Sequence, residues 1–140
     1  MTDAYVNPIP TLDEFDRMVR ETFRRLPGHF RAQCQGLVIQ VADFADEDTL
    51  RSMNIPDAYG LLGLYHGMGL GNEGAMMVTG KLPDMVFLYR MPILRVAFEG
   101  GDSVRHVVTH VLVHEIGHHF GLSDEAMDEI ERRAGGPGFL

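Results

Sequence analysis

The chain has no tryptophan and one cysteine, Cys34, among its 140 residues. A lone cysteine closes no internal disulfide, so the fold must rest on its core, and Cys34 itself reads as a small buried hydrophobe. Basic residues are also few: 12 Lys+Arg face 20 Asp+Glu, for a formal net charge of -8. Such an acidic surface repels phosphate backbones and anionic lipid headgroups, which argues against nucleic acid and membrane as partners. Long apolar runs are missing too; nothing approaches the roughly 20 residues of a membrane-spanning helix. The opening residues MTDAYVNPIP carry no basic start and no apolar stretch of an export signal, so a cytoplasmic protein is the expectation.

What remains is ordinary globular material, 45% hydrophobic and 23% charged, of a length that suits one core. The expectation is a single domain over 1–140, with 1–10 and 135–140 as flexible tails. Thr11 to Leu26 predicts a helix. Thr11 and Glu14 form a capping box, Leu12, Phe15, Met18, Val19, Phe23 and Leu26 recur at helical spacing, and Pro27 and Gly28 stop it. Gly36–Val41 reads as a strand, Asp43–Asp48 as a solvated loop or a short helix start, and Tyr59–His66 as a second strand weakened by glycine. Gly67–Leu82 is a Gly- and Met-rich connection without a period. Asp84–Met91 predicts a third strand closed by Pro92, and Ile93–Phe98 fits a strand or a helical turn. Asp102–Phe120 predicts a long helix stopped by Gly121, followed by a short one from about Asp124 to Arg133. That order gives an α+β fold with a small mixed or antiparallel sheet packed on the long helix.

The chemistry concentrates at the end of that helix, in HEIGHHFGLSD from His114 to Asp124. On a helix His114 and His118 lie about 40° apart around the axis and one turn apart along it, so both imidazoles can reach one metal ion. Glu115 projects about 100° away from His114, suited to hold a metal's water as general base. Gly121 permits the chain reversal that would bring Asp124 back as third ligand, leaving a fourth position open for water. Asp128 and Glu129 are alternative third ligands, and Asp124 has a competing use as helix N-cap. At this composition HExxH arises by chance in roughly two of a hundred such sequences, and the added Gly and Asp make coincidence far rarer.

Valine, leucine and isoleucine cover most of the same helix, leaving His106, His110 and Gly117 as its polar sector. A helix apolar nearly all round is buried, and histidines on it need a reason that a metal supplies. His110, one turn before His114, is a candidate to hold a ligand or water from behind. His119 reads as a surface or capping residue. Tyr65, His66, Tyr89 and Arg90, at the ends of the second and third strands, are candidate donors to the oxyanion of a hydrolytic transition state.

The eleven residues resemble the HExxHxxGxxD signature of zincins, a metzincin-like arrangement with Asp in place of the third His. With the LLGLYHG and DMVFLYR stretches, the region from Thr11 to Arg133 is similar to small bacterial proteins described as minimal zincin-like metallopeptidases. The resemblance implies a compact α+β zincin core, one bound zinc and peptidase activity on a peptide or protein substrate. Larger metzincins continue into a Met-turn subdomain, for which the residues after Asp124 leave no room. A homodimer or a partner protein is one way to complete such a cleft. A zinc-stabilised module that binds peptides without cutting them is the alternative reading.

Overall fold

The computed structural model describes residues 9–67 and 83–139, with side chains through residue 135. The expected connection Gly67–Leu82 and the expected tail 1–10 fall almost wholly outside these residues, whereas 135–139, expected as a flexible tail, continue the last helix. Helix α1 spans Leu12–Arg24, and its capping box forms as the sequence predicts: Glu14 N–H donates to Thr11 Oγ1, and Thr11 N–H to Glu14 Oε1. A short α2 (Gly28–Ala32) leads to β1 (Val38–Ala42). Helix α3 (Glu47–Ser52) begins where the acidic stretch allowed, with the Asp46 carboxylate accepting the Thr49 N–H.

The expected second strand is shorter than its pattern. Ala58–Gly60 forms a 3₁₀ turn capped by Asp57, and only Gly63–His66 is β2. Strand β3 (Met85–Tyr89) gives way at once to α4 (Arg90–Gly100). Pro92, expected to close a strand, instead occupies the first turn of this helix, where no backbone N–H is needed. Helices α5 (Val104–His119) and α6 (Asp124–Phe139) complete the order, α6 running beyond the expected Arg133.

The sheet has three strands in the order β1-β3-β2, with β1 parallel and β2 antiparallel to β3. Helix α5 lies at the centre, against β2, β3, α1, α4 and α6. Val108, Leu112, Val113 and Ile116 are fully buried on it, together with Phe15 and Val19 of α1, Val86 and Leu88 of β3, and Met127 of α6. Two glycines permit the close approaches. A Cβ on Gly63 of β2 would lie 2.6 Å from Val111 Cγ1, and one on Gly117 would lie 2.5 Å from Met127 Sδ. Gly117 is therefore buried between α5 and α6, which corrects the expectation that it belongs to a polar sector; only His106 and His110 of that set are exposed.

Candidate metal centre

Helix α5 ends in a Schellman motif. Gly121, at φ 75°, lets its own N–H reach His118 O (3.1 Å) and the Leu122 N–H reach Gly117 O (2.9 Å). The chain reverses there and α6 returns along α5. Its first turn is capped by Ser123, whose Oγ accepts the Ala126 N–H at 3.1 Å. Since Ser123 holds the cap, the Asp124 carboxylate at the first position of α6 is outside it, exposed, and close enough to His114 for its charge to act on that imidazole.

The three α5 imidazoles form a ladder of i, i+4 steps. His110 and His114 lie 3.9 Å apart between ring centroids and are tilted by 35°, while His114 and His118 lie 5.6 Å apart edge to face. His118 is exposed, whereas His114 is only 24% exposed and its Nε2 is buried with no hydrogen-bond partner among the described residues. Burial first, then the neighbouring His110, lowers the His114 pKa. Its shielded nitrogen is left unsatisfied among the described residues, the condition a metal ligand meets when its ion is added.

Facing it from α6 is Glu131, 16% exposed, with Oε2 3.2 Å from His114 Nε2. That contact is close but not aligned as a hydrogen bond. The same carboxylate accepts from His110 Nδ1 at 3.1 Å, a bond that raises the His110 pKa. Among the described residues, one donor atom each of His110, His114 and Glu131 lie within 4.8 Å of one another, a grouping that does not include His118 or Asp124. Glu131 was not among the residues the sequence singled out. The alternative ligands Asp128 and Glu129 are exposed, and Glu129 pairs instead with Arg132 and Arg133.

Glu115 turns to the other side, toward the sheet; its Cγ lies 3.4 Å from the point a Gly63 Cβ would occupy. Burial raises its pKa, opposed by a hydrogen bond from the Tyr65 backbone N–H and by the charge of His118. The sheet register explains that bond. The Tyr89 N–H donates to Leu62 O, so by antiparallel alternation Leu64 and His66 face β3 with their backbone groups while Gly63 and Tyr65 turn theirs outward. Glu115 thus meets an outward N–H of a strand that is at the edge of the sheet among the described residues.

The candidate oxyanion donors have different situations. The Tyr65 hydroxyl donates to Asp84 Oδ2 at 2.8 Å, and its ring stacks on His119 at 3.9 Å, with His119 Nε2 3.6 Å from the same carboxylate oxygen. Desolvation and Asp84 push the Tyr65 phenol pKa up. His119, read as a surface residue, is thereby part of the clamp on the end of β2. A concavity of about 470 Å³ lined by Cys34, Tyr65, Asp84 and Phe120 opens beside this clamp. Arg90 is committed elsewhere, its Nε to Asp43 at 2.7 Å and its Nη1 to Pro10 O at 2.8 Å. Tyr89 is buried, its pKa pushed up to about 12 by desolvation, by Asp46 and by the nearby charge of Glu115. His66 is exposed at the end of β2.

A family model described as zincin-like metallopeptidase matches residues 34–134, which takes in the sheet, α5 and most of α6. No curated protein sequence matches the chain. Among the described residues, no helix is long and apolar enough to cross a membrane.

Proposed function

The chain belongs to the zincin-like metallopeptidases, a family whose members bind zinc, and from that premise we propose that it hydrolyses peptide bonds with Glu115 as general base. The observation that supports this reading is the pairing of two neighbouring groups on one helix: the unsatisfied His114 Nε2 and, about 100° round the axis and within reach of the His118 charge, the half-buried Glu115 carboxyl. A purely structural metal site has no use for the second.

In this proposal His114, His118 and Asp124 hold the zinc. The donor set suits it: two imidazoles, one of them with a shielded and unsatisfied nitrogen, and a carboxylate that a serine has relieved of capping duty. When bound, the zinc would supply Lewis acidity for the scissile carbonyl and for the attacking water. Glu115 takes the proton from that water and delivers it to the leaving amine; a carboxyl raised by burial is better matched to both transfers near neutral pH. An extended substrate would lie along β2, whose outward backbone groups at Gly63 and outward C=O at Tyr65 can pair with its backbone by strand addition, the Tyr65 N–H being held by Glu115. His66 and Tyr89 are the candidates to stabilise the oxyanion, since the Tyr65 hydroxyl already donates to Asp84.

The test is metal dependence. Protein purified without added metal is expected to carry close to one equivalent of zinc and to cleave a mixed peptide library, with chelation stopping cleavage and zinc restoring it. Hydrolysis that survives complete metal removal would reject the reading. Zinc-loaded protein that captures peptides and leaves them intact would make it a binding module.

A further inference from the structure

We propose that His110, His114 and Glu131 form a second metal position, one helical turn before the HExxH pair and sharing His114 with it. The inference rests on the peptidase reading for the first position, and the two fail separately in the experiment below.

The argument begins with distances. Two donors bound to one zinc at about 2.0–2.1 Å in tetrahedral geometry stand roughly 3.3 Å apart. Glu131 Oε2 is 3.2 Å from His114 Nε2 and 3.1 Å from His110 Nδ1, so two of the three edges already have the length a shared ion imposes. The donor chemistry agrees, since two imidazoles and one carboxylate select zinc, cobalt(II) and similar divalent ions over calcium or magnesium. The setting agrees as well. Glu131 is held at 16% exposure on the face of α6 that carries Met127 and Ile130, where a carboxylate without a cationic partner is costly. The His114 Nε2 approach to Glu131 is not aligned as a hydrogen bond, and a single His110 Nδ1 is shared between the two carboxylate oxygens. An ion between the three would satisfy Glu131 and the orphaned Nε2 together.

The His114 Nε2 lone pair binds one ion at a time. An ion held with His110 and Glu131 is therefore withdrawn from the side of the helix where Glu115 lies against β2. The two positions compete for the same imidazole, and the second is a resting place in which the general base has no metal to work with.

Cobalt(II) titration followed by visible absorbance, with metal content measured after gel filtration, separates the positions. The parent protein is expected to bind one equivalent. His118→Ala removes an exposed ligand of the first position only, and should still bind one equivalent, more weakly. Adding Glu131→Gln or His110→Ala to that background should weaken binding at least a further tenfold. Asp124→Ala, built as an independent background, should behave as His118→Ala does, and circular dichroism checks that each variant is folded. Folded His118→Ala and Asp124→Ala that take up no cobalt would overturn the second position while leaving the peptidase centre intact. So would binding in those variants that is indifferent to Glu131. Parent protein that binds cobalt but hydrolyses nothing would instead count against the peptidase reading alone, and parent protein that binds none would overturn both.

Discussion

Glu115→Gln is expected to keep the fold and the metal while hydrolysis falls by about 10²–10⁴-fold, the range a positioned general base contributes. The amide is nearly isosteric, and its oxygen can still accept the Tyr65 N–H that anchors the side chain to β2. What it cannot do is receive a proton. Zinc analysis beside a peptide-cleavage assay reads both halves of the result; turnover close to the parent's would remove Glu115 from the mechanism.

The same substitution has a second consequence, in the metal-free protein. Burial raises the Glu115 pKa above that of the unfolded chain. A carboxyl shifted this way contributes its full stability below the unfolded value, about 4.3, and loses that contribution as pH rises through the folded value. At neutral pH the ionised carboxylate therefore works against the metal-free fold. Glu115→Gln should melt at a higher temperature than the parent in chelator at pH 7.5, and the advantage should shrink toward pH 4. An advantage of the same size at both pH values would show that ionisation of Glu115 is not its source.

Gly117→Ala is expected to lose about 1–3 kcal/mol of stability, the usual range for overpacking, and to lower the melting temperature by roughly 5–15 °C. On helix propensity alone the change should stabilise by about 1 kcal/mol, so the sign is diagnostic. The new methyl carbon would stand 2.5 Å from Met127 Sδ and 2.8 Å from its Cγ, and Met127 is fully buried with nowhere to retreat. Pushing α6 away also moves Asp124 and Glu131, so metal affinity should fall with stability. In a Met127→Ala background the contact is gone, and Gly117→Ala should become neutral or stabilising there. An unchanged cost in that background would locate the strain elsewhere.

The features legible in the sequence are those governed by local rules. The capping box of α1, the length of α5 and the glycine stop at Gly121 follow from residues within a few positions of one another. The α+β class was legible for the same reason. What escaped depends on which segments meet. Tyr59–Leu62 carried an apolar strand pattern but went to a 3₁₀ turn and a short connection, and Pro92 looked like a strand terminator because α4 starts at Arg90, directly after Tyr89, the last residue of β3 paired with β1. At the candidate site, the spacing of His114, Glu115 and His118 along one helix was legible. Glu131 was not, because its approach to His110 and His114 depends on how α6 packs back along α5. One signal was present: Glu131 falls at helical spacing with Met127, Ile130 and Ala134, and an acid on the apolar face of an amphipathic helix calls for a partner across the interface.

Gly63 and Gly117 hold the central helix by what they lack, one against the strand and one against the last helix. Of the groups proposed for chemistry, His118 and Asp124 face solvent and contribute little to that seating. Shape and reactivity are thus written at different positions of the chain. A descendant that drifted at Glu115 would keep its outline and its strand edge, and would pass unnoticed into a life of holding peptides it no longer cuts.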